Sequence, residues 1–270
     1  MDKKLEKKML VSGLMLAGIA LFLIAVQIVP NNNESIVKNA AVLNAAAVSN
    51  QQFPPNMSLQ GKANLQEAVD RLGDKLPEVA AWYGMTPRQL RNHMLSDHTL
   101  WIDEQGRLFY REESIVTSKD VLAADVPAES TVAGVSYPLS DTFLLHSNPG
   151  SKRVIYLNFK GATLSGVAWN SYNSGNDIIA PAWDIDGDMD SFGDSERQLI
   201  QNVWRRVAED FAPFDVDVTT EEPPLDRIAR TSSDDEYYGT VALVSPISGY
   251  FGNYGGLAYV GVFDSTNNTY

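Results

Sequence analysis

Hydrophobic and polar positions divide the chain into an apolar N-terminal run, a polar stretch and two regions with regular periodicity. Residues 9–29 contain no charged side chain and would span about 31 Å as a helix, which matches the hydrocarbon core of a bilayer. Lysines precede this run and an acidic chain follows it, so we expect the rest of the protein to be exported. Residues 1–30 are predicted to be a cleaved signal peptide or an uncleaved membrane anchor that holds the protein through residues 9–29.

Regular periodicity returns after residues 31–61, which are rich in Asn, Ala and Pro and are predicted to be a flexible tether. Apolar residues at helical spacing predict a small α-rich unit at residues 62–113, with a helix after Thr86 and a β-hairpin at residues 100–110. A unit of about 50 residues is marginal alone, so we expect it to pack on a larger partner. Residues 114–150 contain several Pro and Ser and are predicted to be a second linker.

Residues 151–270 alternate between strand and helix patterns, which predicts an α/β domain. One apolar stripe predicts a long helix at residues 196–211. The residues of that stripe are Leu199, Ile200, Val203, Trp204, Val207, Ala208 and Phe211, and we expect the first five to be buried against the sheet. The segments with strand patterns are residues 153–159, 215–221, 240–244 and 256–263. We therefore predict a mixed sheet packed on one long helix.

Charge and composition narrow the possible functions. The 270 residues carry a net charge of -13, and residues 181–240 alone hold 16 acidic and 5 basic side chains. Such a chain repels phosphate backbones, so we expect no nucleic acid among its partners. The absence of cysteine excludes disulfides, thiol catalysis and Cys-ligated metals. The local excess of acid instead indicates a possible cation site.

A run of alternating carboxylates at residues 184–190 is the strongest candidate for such a site. Calcium takes about six to eight oxygen ligands from flexible loops, and carboxylates at every second position can converge on it. The run is not an EF-hand, because Met189 stands at its sixth position and Ser195 at its twelfth. The alternative is a solvated acidic turn that caps the following helix through Asp194. The candidate calcium ligands are Asp184, Asp186, Asp188 and Asp190.

The histidines give no sign of a catalytic metal site. His93 and His98 are five residues apart and would point in different directions on a helix, so they cannot form the His-Glu-x-x-His pair of a zinc hydrolase. His146 stands alone, and no Gly-x-Ser-x-Gly motif supports a serine nucleophile. We therefore assign no catalytic residue and no zinc ligand to these 270 residues.

Four segments of the second half carry a family resemblance. They are residues 154–161 (VIYLNFKG), 169–170 (WN), 204–221 (WRRVAEDFAPFDVDVTTE) and 255–263 (GGLAYVGVF). Together they resemble exported bacterial zinc metallopeptidases of the metzincin, reprolysin-like type. Residues 62–113 are similar to the region that precedes the peptidase domain in that family, so the resemblance extends over residues 62–270.

The resemblance implies that residues 151–270 are an incomplete metallopeptidase domain, a metzincin-like upper lobe. The active-site helix, with its zinc histidines and general-base glutamate, would follow Tyr270. Zinc is then an expected cofactor with ligands beyond this sequence, and the 270 residues alone are expected to be inactive. The last strand would border the substrate cleft, and we expect its backbone to be a free edge that pairs with a polypeptide substrate. The edge residues are Gly256, Leu257, Ala258 and Tyr259.

Two functions remain open at this stage. The first is the N-terminal portion of an exported zinc-dependent endopeptidase, in which residues 62–113 are a propeptide that covers the cleft or assists folding. Because there is no cysteine, only a carboxylate or plain steric cover could block the zinc, and Asp97 and Asp103 are the candidate carboxylates. The second is a non-catalytic exported module that binds calcium or another protein.

Overall fold

The computed structural model describes residues 23–26, 57–113, 137–252 and 254–266. The strands are Leu23–Val26 (β1), Ala63–Asn64 (β2), Leu100–Ile102 (β3), Leu108–Glu113 (β4), Arg153–Asn158 (β5), Ala162–Leu164 (β6), Ile178–Ala180 (β7), Asp217–Thr219 (β8), Tyr238–Val244 (β9) and Tyr254–Tyr259 (β10). The α-helices are Leu65–Leu72 (α1), Leu76–Trp82 (α2), Pro87–Ser96 (α3), Asp194–Phe211 (α4) and Ser248–Phe251 (α5).

Eight of these strands form one mixed sheet in the order β2-β3-β4-β10-β1-β9-β5-β8, and β6 pairs with β7 in a separate ribbon. Strand β5 runs parallel to β9 on one side and to β8 on the other. The predicted link between residues 153–159 and 240–244 is present, with Ile155 opposite Thr240. The mixed α/β class predicted from the strand and helix patterns is therefore confirmed.

Helix α4 packs its apolar stripe against this sheet. Trp204 is only 5% exposed, and its indole Nε1 donates a hydrogen bond of 2.8 Å to the Val218 carbonyl of β8. Leu199 departs from the prediction: it is only half-buried, because it lies about 100° around the helix from Ile200 at the centre of the stripe. The apolar residues that α4 does bury are Ile200, Val203, Trp204, Val207 and Phe211.

Residues 57–113 form a unit with its own core, which we call the helical unit. Thr86 begins α3 with a reciprocal cap: its hydroxyl accepts the Gln89 N–H at 3.2 Å, and the Gln89 side chain accepts the Thr86 N–H at 2.9 Å. The predicted hairpin is present and turns through Gly106, whose φ of +78° favours glycine. The helical unit joins the main sheet because β4 pairs with β10.

The C-terminal part of the predicted linker, residues 137–150, packs on the domain instead of extending away from it. Leu145 is 1% exposed in the core beneath α4. Tyr137 contacts Trp204 edge-on, with ring centroids 5.4 Å apart. Residues 137–150 therefore belong to the folded domain, whereas residues 114–136 lie outside the described part of the chain.

The predicted N-terminal helix is only partly within the described residues. Its residues 23–26 form strand β1, between β9 and β10, so the helical prediction does not hold for these four residues. The rest of residues 9–29 lies outside the described residues, as does the predicted tether up to residue 56. Among the helices that are described, none has both the length and the apolar character to cross a membrane.

Candidate functional site

An acidic loop between β7 and α4 brings three carboxylates together. The loop is attached to the sheet where the Trp183 N–H donates to the Phe159 carbonyl, at 2.8 Å. One oxygen atom from each of Asp184, Asp186 and Glu196 lies within 4.8 Å of the others. Asp184 and Asp186 are predicted calcium ligands, whereas Glu196 is a carboxylate outside the alternating run. We call these three residues the acidic triad.

Glu196 is the buried member of the acidic triad. It lies in the first turn of α4 and is 1% exposed. Its Oε1 accepts the Ile185 N–H at 3.0 Å, and its Oε2 accepts the N–H of Gly193, the helix cap, at 2.9 Å. The helix N-terminus favours a negative charge at this position. Asp194, the expected cap, is instead the first residue of the helix.

The two aspartates of the acidic triad shape the backbone of the loop. Asp184 Oδ1 accepts the N–H groups of Asp186 and Gly187, at 3.0 and 2.8 Å. Gly187 has a φ of +97°, in the region that favours glycine. Within the described ranges, no ion pair joins the acidic triad to Lys, Arg or His. A hard divalent cation is the kind of group that such carboxylates can bind.

Asp188 and Asp190 are not brought into the acidic triad, which corrects the predicted set of four aspartates. Asp188 is used within its own turn: its Oδ1 accepts the Asp190 N–H at 3.2 Å, and its Oδ2 accepts the Ser191 hydroxyl at 2.8 Å. The alternating pattern assumed that successive carboxylates converge. The loop instead folds through local turns made by its own Asp side chains, and of the four aspartates only Asp184 and Asp186 are grouped with Glu196.

Strand β10 is an interior strand, which corrects the prediction of a free edge at Gly256, Leu257, Ala258 and Tyr259. It pairs antiparallel with β4 on one side and parallel with β1 on the other. The residues of β4 opposite Leu257, Ala258 and Tyr259 are Arg111, Tyr110 and Phe109. The backbone groups that a polypeptide substrate would need are thus already paired, on one side by the helical unit itself.

A buried ion pair lies where the helical unit meets β10. Asp103 Oδ2 accepts the Arg107 Nε–H at 2.6 Å, and the Tyr259 hydroxyl donates to the same oxygen at 3.0 Å. Asp103 is 0% exposed, and its Oδ1 accepts the N–H groups of Gln105 and Arg107, each at 2.9 Å. Burial, together with the charge of Asp103, raises the pKa of Tyr259 well above its ordinary value. The phenol therefore keeps the proton that it donates to Asp103.

Asp97 and Asp103, the carboxylates expected to block a metal, are both engaged inside the helical unit. Asp97 Oδ1 accepts the N–H and the hydroxyl of Thr99, at 3.0 and 2.6 Å. Asp103 is held in the buried cluster with Arg107 and Tyr259. Asp103 is therefore enclosed at the junction, whereas the half-buried Asp97 stabilises the turn before β3.

Cationic side chains packed on aromatic rings extend the same junction. The Arg111 guanidinium lies 3.3 Å from the ring centroid of Trp101 and 4.1 Å from that of Tyr254, so it bridges β3 and β10. Burial lowers the pKa of Arg111 from its ordinary value. Lys62 Nζ lies 4.0 Å from the ring centroid of Tyr172, outside the helical unit. Both cations thus join the helical unit to the rest of the domain, in addition to the backbone pairing between β4 and β10.

His146 is held between two carboxylates beside β8. Its Nδ1 lies 2.6 Å from Asp217 Oδ2, and its Nε2 lies 2.8 Å from Glu221 Oε2. Asp217 Oδ1 also accepts the N–H groups of Ser147 and Asn148, each at 3.0 Å. Burial opposes the charged form of His146, but the hydrogen bonds and charges of the two carboxylates outweigh it and raise its pKa. We call this arrangement the His146 clasp, because it fixes the segment before β5 to β8.

The three histidines lie in two different parts of the fold. His93 is on α3, His98 follows that helix, and both are exposed, whereas His146 lies beside β8. The two ring nitrogens of His146 face different carboxylates. A catalytic zinc needs about three convergent protein ligands, so the described histidines do not fit one.

The chain was also compared with known proteins. No protein-family model matches it, and no significant match is found among the curated proteins or the solved structures.

Proposed function

We propose that the chain supplies the N-terminal portion of an exported zinc-dependent endopeptidase, which hydrolyses peptide bonds of a polypeptide substrate. Zinc would supply a metal-activated water, bound by ligands that follow Tyr270. The proposal rests on the sequence resemblance at residues 154–263. The observation that supports it best is the order of strand, long helix and further strands over residues 153–259, which is the order that the resemblance implies.

The residues of this chain would contribute a scaffold and no catalytic group. Strands β5, β8 and β9 run parallel, α4 covers one face of them, and β10 runs antiparallel to β9. The resemblance implies the order of strand, helix and further strands for a metzincin-like upper lobe. The proposed role of these residues is thus the sheet as support.

The coding sequence after the codon for Tyr270 tests this proposal. We expect a His-Glu-x-x-His motif and a third histidine within a few tens of codons, on a helix where both histidines share one face. A stop codon at that point, or a long continuation without this motif, would contradict the endopeptidase proposal and leave the non-catalytic alternative.

The alternative is an exported module that binds calcium, and the acidic triad is the observation that favours it. A cation held by these carboxylates should raise the melting temperature in calcium relative to chelator, by mass action. Asp186→Asn should abolish that difference, whereas Asp190→Asn, a neutralisation outside the acidic triad, should preserve it. Equal melting temperatures in calcium and in chelator would mean that the triad only shapes the loop and caps α4.

We also propose that residues 1–30 direct export, with residues 9–29 as the anchor if they are retained. The N-terminal sequence of the protein isolated from its native cell tests this. A new N-terminus after residue 30 indicates a cleaved signal, an intact N-terminus in the membrane fraction indicates an anchor, and an intact protein in the cytosol would contradict export. The same measurement shows whether β1 is part of the mature protein.

A further inference from the structure

We infer that Asp186 is a site of spontaneous modification: it converts to isoaspartate, and the fold of its loop promotes the reaction. Asp186–Gly187 is the only Asp-Gly dipeptide in the 270 residues, and the chain contains no Asn-Gly dipeptide. The reaction is fastest at such a dipeptide, because the nitrogen of the second residue must reach the carboxyl carbon of the first. The inference concerns chemistry within this chain and does not depend on the proposed endopeptidase.

The carboxyl group of Asp186 is turned toward the backbone with which it would react. Its Oδ1 accepts the Asp188 N–H at 3.0 Å, which closes an Asx turn around the Gly187 nitrogen. Gly187 has a φ of +97°, and among the described residues only its chain neighbours come within 4 Å of the position that a Cβ would take. Asp186 is also exposed. The carboxyl carbon, the nitrogen and water therefore meet without a steric barrier.

Asp184 is placed to accept the proton that the attacking nitrogen loses. Its Oδ1 accepts the Gly187 N–H at 2.8 Å. A backbone amide is a poor nucleophile until its proton is removed, and a carboxylate within hydrogen-bond distance of that proton is positioned as a general base. A free peptide would not hold this contact. The folded loop therefore adds a proton acceptor to the intrinsic reactivity of the dipeptide.

The reaction is an isomerisation that consumes no oxidant or co-reactant. A bond forms between the Gly187 nitrogen and Asp186 Cγ, and the nitrogen's proton leaves with the carboxyl hydroxyl as water, which gives a five-membered succinimide. Water then opens the ring. Attack at Cγ restores aspartate, whereas attack at the backbone carbonyl carbon leaves the chain running through Cγ as isoaspartate. The free carboxylate of isoaspartate is bonded directly to Cα, so we expect Asp186 to leave the acidic triad.

The test is mass spectrometry of the folded 270-residue chain after incubation for several weeks at physiological temperature in mildly acidic buffer. Trypsin releases residues 161–197 as one peptide, and electron-transfer fragmentation locates isoaspartate within it. We expect isoaspartate at Asp186, and none at Asp188 or Asp194 in the same peptide. Asp186→Glu should form none at this position, because the larger ring closes far more slowly. Unmodified Asp186 in the wild-type chain would overturn the inference.

A synthetic peptide with the sequence of residues 182–192 separates the effect of the fold from that of the dipeptide. Isoaspartate should form several-fold faster in the folded chain than in this peptide. Asp184→Asn should remove most of that advantage, because an amide oxygen can still accept the Gly187 hydrogen bond but is a much weaker base. Equal or slower formation in the folded wild-type chain would contradict the inference, and this comparison does not require that the variant folds.

Discussion

The His146 clasp makes the stability of the protein depend on pH in a direction that can be worked out in advance. His146 lies 2.6 Å from Asp217 and 2.8 Å from Glu221, and its pKa is raised in the folded protein. A raised pKa means that the folded state binds the proton more tightly than the unfolded state does. The stabilisation is therefore complete below the unfolded pKa of about 6.5 and is lost as the pH rises through the folded pKa.

The size of the effect follows from how the two carboxylates are placed. The Asp217 side chain is 6% exposed and is fixed by backbone N–H groups, whereas Glu221 is half-exposed and should contribute little. A hydrogen bond to a charged group contributes roughly 1.5–3 kcal/mol, and partial exposure of His146 reduces this to about 1 kcal/mol. For a domain of this size, that corresponds to roughly 2–4 °C in melting temperature.

The assay compares the melting temperatures of wild type and His146→Gln between about pH 5.5 and 9, where carboxylates are generally ionised. The melting temperature of the wild type should exceed that of the variant most at pH 5.5, and this difference should shrink as the pH rises. His93→Gln, at an exposed helical position, is the matched control and should show no such trend. A constant difference across the range, or one that grows with pH, would refute the reasoning.

Three further predictions concern the core and the metal. Trp204→Phe should cost roughly 0.5–1.5 kcal/mol of unfolding free energy by chemical denaturation, because the Val218 carbonyl loses the indole hydrogen bond of 2.8 Å and keeps only the Ser147 N–H at 3.1 Å; an unchanged midpoint would contradict this. Ile200→Ala should cost roughly 2–5 kcal/mol, and Leu199→Ala clearly less, since only Ile200 is fully buried; equal losses would be inconsistent with the packing of α4. The 270-residue chain should bind no catalytic zinc and cleave no peptide, so metal analysis after dialysis and a zinc-dependent protease assay should both be negative.

Local patterns predicted the parts of the fold whose stability comes from neighbours in sequence. The apolar stripe located α4, and Thr86 with its Gln89 partner located the start of α3. Residues 137–150 have no such periodicity, because they are held by contacts with distant elements. Tyr137 packs on Trp204, and the His146 clasp joins residues about 70 positions apart.

The candidate sites were only partly predictable for the same reason. The alternating carboxylates of the sequence identified Asp184 and Asp186. Glu196 joins them only because the loop folds back against the first turn of α4, where Glu196 lies. The Glu at the third helical position is a capping signal that could have indicated its orientation. The prediction of a free edge at β10 was wrong because the strand that pairs with it, β4, lies almost 150 positions earlier in the sequence. Pairing over that distance leaves no periodic trace in either strand.

We propose that this chain belongs to a zinc endopeptidase, and the most direct test of that proposal is the activity of the protein expressed from the complete gene. After removal of the helical unit by limited proteolysis between residues 113 and 137, we expect cleavage of an unfolded polypeptide. That cleavage should stop with a chelator and return with added zinc. A complete protein that binds no zinc and cleaves no polypeptide, with the helical unit shown to be released, would contradict the account.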